Sequence, residues 1–318
     1  MKIKLKYIVL IIVLAFISLS IGNMDFSWID LINLDSSAIN VFITSRFPRL
    51  VAVLLTGIGL SISGLILQQL VRNKFVSPST TATANSARLG IMVALVLLPQ
   101  LTTVTRSLFA FAFALAGTGL FVWMIQRIKL KDVIFTPLIG MMLGTVIASI
   151  TTFLALHFDV LQVLNGYMIG SFTLTIKGRY ELLYLLIPVI LITYAYARYF
   201  NIAALGEDYA SNLGLNYKKI LVVGIMIVSL NSAVIISTIG NIAFVGLIIP
   251  NLVSIRYGDK IDSTITITAL MGSIFLLAAD IISRLIIYPY EIPISLTVGV
   301  IGSIIFLILI LRRNKNEK

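Results

Sequence analysis

Residues 50–71 read LVAVLLTGIGLSISGLILQQLV, and none of these side chains is charged. About 20 predominantly apolar residues allow an α-helix to cross the hydrocarbon core of a bilayer. The whole chain shares this character, because 59% of its 318 residues are hydrophobic, 12% are charged, and the mean hydropathy is +1.05. A soluble fold could not bury so much apolar surface. The sequence therefore predicts an all-α, polytopic membrane protein.

Nine further apolar stretches, bounded by charged residues, Pro or Gly, lie on both sides of this one. They fall at about 7–22, 88–103, 107–126, 134–156, 180–198, 218–239, 244–255, 262–285 and 295–311. We therefore expect about ten transmembrane helices, with both termini on one side. The stretch 244–255 is too short to span a bilayer unaided, and we expect residues 158–179 to be interfacial. The sequence after the first stretch lacks a small-x-small cleavage site, which favours a retained first helix over a signal peptide.

Basic residues are divided unequally between the two sides of this topology. The chain has 24 Lys and Arg against 13 Asp and Glu, a net charge of +11. If the amino terminus is cytoplasmic, the inner connections hold seventeen basic residues: Lys2, Lys4, Lys6, Arg72, Lys74, Arg127, Lys129, Lys131, Arg198, Lys218, Lys219, Arg256, Lys260, Arg312, Arg313, Lys315 and Lys318. The outer connections hold six: Arg46, Arg49, Arg106, Lys177, Arg179 and Arg284. Arg88 is ambiguous. This bias predicts a cell-membrane protein with both termini in the cytoplasm, and it explains most of the positive charge without a nucleic-acid partner.

Several chemistries are excluded by what the sequence lacks. It has no cysteine, no GxxxxGK[ST] phosphate loop and no HExxH pair. Its single histidine, His157, follows an apolar helix and has no second histidine with which to form a metal-ligand pair. We therefore expect no catalytic residue, no metal site and no ATP site in this chain.

Three outer arginines run against the charge bias. Arg46 and Arg49 flank Pro48, which fixes a turn at a helix start, and Arg284 lies at the outer end of a later helix. Guanidinium groups bind carboxylates in bidentate fashion. Two interpretations remain open: the side chains snorkel to the interface, or they receive the carboxylates of a partner.

The longest polar cytoplasmic segment covers residues 199–217. Between Gly206 and Gly214, Ala, Leu and Glu recur at helical spacing over about two turns. This pattern predicts a short amphipathic helix between two turns. Such a helix could lie in a groove of a cytosolic partner, or the segment could be an ordinary connector.

Helix-breaking and ionisable residues interrupt the apolar runs in the last third of the chain. Gly246 and Pro250, followed by Asn251, are the pattern expected of a broken helix that lines a path. Asp280 and Arg284 are four residues apart, so they share a helix face and can pair. An intramembrane acid is a functional candidate, although a structural bridge between these two residues is an equal alternative.

Five separated motifs, in the same order and covering nearly the whole chain, resemble those of the FecCD-type permeases. These are membrane subunits of bacterial ABC importers for iron-siderophores, haem and cobalamin. The motifs are Arg46 to Leu50, Gly64 to Gln68 with Arg72 to Pro78, Leu205 to Glu207 with Leu213-Gly214, Phe244 to Asn251, and Asp280 to Arg284 with Glu291-Ile292-Pro293.

The resemblance implies a type II ABC importer permease bundle, with residues 1–318 as one domain that forms a homodimer or heterodimer around a central path. Family members place arginines matching Arg46, Arg49 and Arg284 where glutamates of an extracytoplasmic siderophore-binding lipoprotein dock. They use a coupling helix that inserts into a cytosolic ABC ATPase dimer, matching Leu205, Gly206, Glu207, Ala210, Leu213 and Gly214 in segment 199–217. ATP and Mg²⁺ then bind to that ATPase, and this chain carries no cofactor.

Two departures from the family pattern bear on the substrate. The chain has Asn73-Lys74-Phe75-Val76 where the family usually has Asn-Pro-Leu-Ala, and Pro250-Asn251 where Pro-His is common. Both variants look like the subgroup that handles catecholate siderophores such as petrobactin in Gram-positive bacteria.

We therefore expect a non-catalytic permease subunit of a ferric-siderophore ABC importer, with haem or cobalamin as alternative cargo. The competing class is an ion-coupled secondary transporter. Such carriers generally need several intramembrane ionisable groups, and this chain offers Asp280 and little else. A membrane enzyme would need a nucleophile, base or metal constellation that the sequence does not display.

Overall fold

The computed structural model describes residues 2–22, 27–98, 100, 102–128 and 135–316. Fourteen α-helices lie along these residues: α1 Lys2–Ser20, α2 Trp28–Ile32, α3 Ser36–Val41, α4 Phe47–Val71, α5 Ala82–Leu97, α6 Thr103–Arg127, α7 Phe135–His157, α8 Leu161–Met168, α9 Leu186–Ala203, α10 Glu207–Asn212, α11 Tyr217–Thr238, α12 Val245–Tyr257, α13 Ile261–Leu285 and α14 Ile294–Asn316. A π-helical turn, Phe42–Arg46, joins α3 to α4, and a 3-10 turn, Glu181–Leu185, leads into α9.

Ten of these helices match the ten apolar stretches of the sequence. Six segments are long and apolar enough to cross a bilayer: Ser36–Val71, Thr103–Arg127, Phe135–His157, Glu181–Ala203, Tyr217–Thr238 and Ile261–Leu285. Shorter apolar helices are Ala82–Leu97, Val245–Tyr257 and Ile294–Leu309, and α1 covers the first stretch. The described residues form no β-strand beyond two isolated bridges. The predicted all-α membrane bundle is confirmed.

Successive long helices alternate in direction, which gives the bundle two ends. α4 begins beside Arg49 and ends beside Arg72, and we name the ends after these residues. The Tyr7 hydroxyl, early in α1, lies 2.8 Å from a tyrosine hydroxyl at the end of α12. Just past the middle of α14, which continues for ten more residues, Phe306 packs edge-on against Phe75, which follows Arg72, with ring centroids 6.2 Å apart. The first helix therefore starts, and the last helix finishes, at the Arg72 end.

The central helix is α4, which packs against α11, α12 and α13 and is buried along most of its length. Glycines allow two of these neighbours to approach its backbone. A Cβ on Gly57 would lie 2.6 Å from the carbonyl oxygen of Gly272 in α13, and a Cβ on Gly64 would overlap the carbonyl of Gly246 in α12. Small residues at such crossings permit the close van der Waals contact on which helix association in membranes depends.

One predicted helix has different bounds in the structure. The apolar stretch 88–103 predicted its position, but α5 begins at Ala82 and ends at Leu97. A polar stretch before residue 88 can belong to the helix because burial of a hydroxyl is tolerated where it finds a partner inside the bundle. For example, the Thr83 and Thr118 hydroxyls lie 2.7 Å apart, both fully buried.

Residues 158–179, expected to be interfacial, contain α8 followed by non-helical chain with several turns, which pairs with the bundle. The backbone N–H of Ser171 donates to the Ile239 carbonyl at 3.0 Å, and that of Asn241 donates to Met168 at 3.1 Å. The Ser295 N–H, at the start of α14, donates to Gly170 at 3.1 Å. This segment therefore ties the ends of α8 and α11 to the start of α14.

Two helices, α5 and α12, begin near the middle of the bundle. The first turn of α12 contains Gly246, whose Cβ position is 2.8 Å from the Leu60 carbonyl of α4 and 3.4 Å from the Pro78 ring just before α5. From there α5 runs toward the Arg49 end and α12 toward the Arg72 end. The segments that lead into them, 72–81 and 239–244, are non-helical. Such backbone is tolerated at membrane depth only where protein or a water-filled cavity surrounds it.

The contact between α4 and α12 predicts that Gly64→Ala is destabilising and Gly119→Ala is not. A methyl group at Gly64 would collide with α12 backbone, and overpacking of this kind costs about 1–3 kcal/mol. Gly119 in α6 has no atom within 4 Å of its Cβ position, so alanine there should be neutral or slightly stabilising. Thermal unfolding of the two purified variants measures the difference, and equal melting temperatures would contradict the close packing.

Candidate functional site

A buried ion network lies at the Arg49 end. Arg49 Nη2 is 2.9 Å from Asp280 Oδ1 in α13, and Arg49 Nη1 is 2.8 Å from Glu291 Oε1 in the loop after α13. Asp280 is 0% exposed, and the Arg49 side chain is 14% exposed. A buried carboxylate is tolerated when it is paired and hydrogen-bonded. Arg49 therefore joins α4 to α13 and to the loop that follows α13.

Arg284 completes the network and attaches it to α1. Its Nη2 lies 2.8 Å from Asp280 Oδ2, which confirms the predicted pairing across one helical turn. Its Nη1 donates to the carbonyls of Ser18 and Ile21 at 3.0 and 2.9 Å, and Arg46 donates to the Leu19 carbonyl. The last carbonyls of a helix have no partner within it. The two arginines supply partners for the end of α1.

The three arginines line one cavity of about 320 Å³ at this end. Thr173, Tyr290 and Glu291 also line it. Three guanidinium groups and the carboxylates of Asp280 and Glu291 leave this cluster with a net charge of +1, since 3 − 2 = 1. The cluster therefore has a surplus positive charge beside a space that a further carboxylate could enter.

Glu291 is held in its ionised form. Burial raises the pKa of its carboxyl, but the Arg49 guanidinium and the Thr173 hydroxyl lower it by more, so the pKa lies below the ordinary value. Thr173 donates to Glu291 Oε2 at 2.8 Å. Glu291 is a functional candidate that the sequence motif contains but to which no local pattern assigns a role. Its partner Arg49 is 242 residues away, and residue spacing does not reveal a contact over that separation.

At the Arg72 end, segment 199–217 contains α10, the short helix that the pattern predicted. Gly206 precedes it with φ +109° and Gly214 follows it with φ +77°. Glycine adopts such backbone without the strain that a side chain adds. A Cβ on Gly206 would also lie 2.8 Å from Arg72 Nη1, so this glycine keeps the segment close to the end of α4.

The side chains of this segment divide into an anchored and an exposed set. Ala210 is fully buried, while Leu205, Tyr209 and Leu213 are 56%, 69% and 66% exposed. Tyr209 and Leu213 are four residues apart along α10, so they lie on one side of it, and Leu205 precedes the helix at Gly206. Glu207, in the first turn, is exposed as well. The structure therefore presents three exposed apolar side chains beside acidic residues at the Arg72 end.

The residues predicted to line a path, Gly246, Pro250 and Asn251, all lie in α12. α12 is continuous over its 13 residues, so the helix break in this region lies before it, at the non-helical residues 239–244, and not at Gly246 or Pro250. The lining of a path by these residues stays a prediction. Proline lacks the N–H that would bond to the carbonyl four residues earlier, here that of Gly246. Gln68 Nε2 of α4 lies 3.5 Å from this oxygen, which compensates for the missing partner and lets the helix continue.

Asn251 ties α12 to the loop after α4. Its Nδ2 donates to the Leu247 carbonyl at 2.7 Å and to the Lys74 carbonyl at 2.8 Å. Lys74 Nζ in turn lies 2.9 Å from Asp259. Burial raises the pKa of the Asp259 carboxyl, but Ser254 and Lys74 lower it by more. A cavity of about 180 Å³, lined in part by Pro250, lies beside these contacts.

No group of three or more His, Cys, Asp or Glu side chains within the described ranges is placed to hold a metal ion. The two polar clusters instead lie at opposite ends of the bundle, with apolar helices between them. This arrangement suits a membrane protein that contacts different partners at its two surfaces.

Comparison with known proteins agrees with this architecture. Residues 10–312 match the model of the FecCD transport family. The petrobactin import system permease protein YclN of Bacillus subtilis (strain 168) is 48% identical over 98% of this chain and 98% of its own. The ferric-anguibactin transport system permease protein FatD of Vibrio anguillarum is 40% identical over 94% and 95%. The petrobactin import system permease protein FatD of Bacillus anthracis is 38% identical over 98% and 91%.

Among solved structures, the fold is similar to that of a transporter assigned to the metal-chelate ABC type, in an inward-facing conformation. The two superpose with a TM-score of 0.83 at 24% identity, over 98% of this chain and 99% of the other. The family match covers almost the whole chain, and the described bundle has the corresponding fold. This protein is therefore a member of the FecCD transport family.

Proposed function

We propose that this protein is the permease subunit of an ABC importer that carries a ferric siderophore, of catecholate type, into the cytoplasm. The observation that carries the proposal is the near full-length similarity to permeases named for petrobactin and ferric-anguibactin transport. Membership of the FecCD family supports the same class of importer. The permease itself is non-catalytic in this proposal. ATP and Mg²⁺ bind to a partner ATPase, and a second permease subunit completes the path.

The Arg72 end faces the cytoplasm in this proposal. Basic residues at or near this end include Arg72, Lys74, Arg198, Lys218, Lys219, Arg256 and Lys260. Cytoplasmic connections carry an excess of Lys and Arg. This orientation places α10 on the side where ATP is available, and the arginine cavity on the side where a binding protein delivers cargo.

Segment 199–217 couples the permease to the ATPase. The exposed side chains of Leu205, Tyr209 and Leu213 supply apolar anchors of the kind that dominate interfaces. Ala210 packs into the permease on the opposite side, with Gly206 and Gly214 at the two turns. Motion of the ATPase would therefore be transmitted through α10 to the neighbouring helices α9 and α11, which it contacts.

The cavity at the Arg49 end receives a carboxylate of the binding protein. The surplus charge of the cluster favours an incoming anion, and Arg46 lies on the cavity wall. Arg49 and Arg284 already hold Asp280 and Glu291, so an incoming glutamate competes with Glu291 for Arg49. Docking can thereby reach α13 and α1 through Asp280 and Arg284. The binding protein supplies the affinity for cargo, and the permease needs only to release it.

The proposed function is tested by uptake into proteoliposomes that contain the permease, its ATPase and its binding protein. We expect ferric-catecholate uptake to require ATP inside and binding protein outside, and to persist with a protonophore. Uptake without ATP that collapses with the protonophore would instead assign the protein to the ion-coupled carriers.

The coupling role predicts the effect of Leu205→Ala combined with Tyr209→Ala. Loss of two interface anchors should weaken ATPase binding by about 2 kcal/mol or more, roughly 30-fold. Co-purification of the ATPase and ATP-driven uptake should fall together. Ile255→Ala is the matched control, because Ile255 is 72% exposed near the same end of the bundle but lies on α12. Equal ATPase binding by the two variants would refute the coupling role.

The docking role predicts that Arg46→Glu weakens binding-protein affinity about tenfold or more, because it reverses a charge on the cavity wall. We choose Arg46 because replacing Arg49 would leave Asp280 buried with one partner fewer. Lys177→Glu is the control, since Lys177 is exposed at the same end and does not line the cavity. Affinity is measured on the complex in nanodiscs, and unchanged binding by Arg46→Glu would refute docking at this cavity.

A further inference from the structure

The cavity at the Arg72 end lies between the central helix and the coupling segment. Its volume is about 180 Å³, and its walls include Arg72 after α4, Ala204 before α10, Asp259 after α12 and Thr264 of α13. Arg72 and Asp259 are exposed, so the cavity opens to solvent at this end of the bundle. One water molecule needs roughly 10–15 Å³. The cavity therefore has room for the end of a partner's side chain.

The cavity wall carries a positive charge that the described residues do not neutralise. Its charged side chains are Arg72, Lys74 and Asp259, which leave a net charge of +1, since 2 − 1 = 1. Lys74 Nζ lies 2.9 Å from Asp259 Oδ1 and donates to Ser254 Oγ at 2.7 Å. Within the described part of the chain, no ion pair or hydrogen bond involves the Arg72 guanidinium. The surplus charge is therefore that of Arg72.

The backbone at Arg72 adopts a conformation that favours glycine. The N–H of Arg72 donates to the Gln69 carbonyl at 3.2 Å, and that of Asn73 donates to Gln68 at 2.9 Å. These two bonds close a helix with a left-handed residue, and Arg72 has φ +53° and ψ +41°. Glycine usually fills this position because it has no Cβ to be crowded by the backbone. Strained backbone of this kind is found where the side chain has a function.

The position of the cavity favours a protein over a lipid headgroup as its occupant. α4 packs against α9, α11, α12 and α13, so the end of α4 lies among helices, whereas headgroups surround the perimeter of a bundle. Ala204 in the cavity wall is followed directly by Leu205, which is exposed and which the proposed function assigns to the ATPase contact. A protein seated on Leu205 lies beside the mouth of the cavity.

We propose that this cavity receives an acidic side chain, Asp or Glu, of the ATPase, and that Arg72 binds its carboxylate. The planar guanidinium group suits bidentate pairing with a carboxylate, and Lys74 adds a second positive charge. The inference rests on the proposed function, because that function places the ATPase at the Arg72 end. The contact is separate from the apolar contact of α10. It attaches the ATPase to α4, α12 and α13, whereas α10 contacts α9 and α11.

The proposal is tested by charge at fixed shape. Arg72→Asp and Arg72→Asn have side chains of the same shape, and both residue types tolerate left-handed backbone. We expect the ATPase to bind Arg72→Asp about tenfold or more weakly than Arg72→Asn, because the aspartate repels the incoming carboxylate. Affinity is measured on the permease in nanodiscs of uncharged lipid. Equal affinity of the two variants for the ATPase would overturn the proposal.

Arg256 provides the matched control. It is exposed near the same end, but it lies on α12 and does not line the cavity. Arg256→Asp and Arg256→Asn should therefore differ about twofold at most in ATPase affinity. A difference as large as that of the Arg72 pair would assign the effect to the general charge of this surface and would overturn a specific contact in the cavity.

The lipid composition distinguishes the two sources of an anion. A carboxylate of the ATPase is present whatever the lipid, so the difference between Arg72→Asp and Arg72→Asn should persist without anionic lipid. If the difference appears only in nanodiscs that contain phosphatidylglycerol, a headgroup occupies the cavity and the proposal fails.

Thermal unfolding separates binding from folding. Asparagine tolerates left-handed backbone, so Arg72→Asn should melt at or above the temperature of the wild-type permease while it binds the ATPase more weakly. A lower melting temperature with unchanged ATPase affinity would give Arg72 a structural role and overturn the proposal.

The double variant Leu205→Ala with Tyr209→Ala distinguishes this inference from the proposed function. If the double variant loses the ATPase while the two Arg72 variants bind it equally, the coupling role stands and only the cavity contact fails. If the double variant binds the ATPase normally while Arg72→Asp does not, the cavity contact stands and the proposed contact at α10 fails.

Discussion

A backbone N–H or carbonyl inside a bilayer must find its partner within the protein, since water is not available there. Much of this bundle is organised by that requirement. Arg284 and Arg46 bond to the last carbonyls of α1, and Gln68 lies against the carbonyl that Pro250 leaves without a partner. Non-helical chain at the ends of α8 and α11 pairs with itself and with the start of α14. Several of the polar residues that the sequence patterns single out lie against backbone carbonyls that have no partner within their own helix.

This requirement also connects structure to transport. Because the arginines at the Arg49 end bond to α1, α13 and the following loop, a partner that changes their pairing acts on several helices at once. At the other end, α10 is anchored between α9 and α11 and presents exposed apolar side chains outward. The same constraint thus connects each of the two proposed docking sites to the helices behind it.

Much of the fold and of the two polar clusters could be predicted from the sequence, but only where the residues involved are close together along the chain. Runs without charge predicted the spans, the spacing of Asp280 and Arg284 predicted their pairing, and the two glycines around α10 predicted a short helix between turns. The pairing of Arg49 with Asp280 spans 231 residues, and no spacing rule reaches that far. The half-depth start of α5 was missed because buried hydroxyls, such as that of Thr83, resemble a polar loop in a hydropathy pattern. The helix break predicted at Pro250 was wrong because its compensation comes from Gln68 on another helix.

The central claim is that the two polar ends of the bundle receive different partners, with cargo passing between them. An electron cryomicroscopy structure of the permease assembled with its ATPase and binding protein tests it most directly. We predict that the ATPase contacts Leu205, Tyr209 and Leu213, and that the binding protein places a carboxylate in the cavity beside Arg46. An ATPase seated at the Arg49 end, or a binding protein that leaves this cavity unoccupied, would contradict the account.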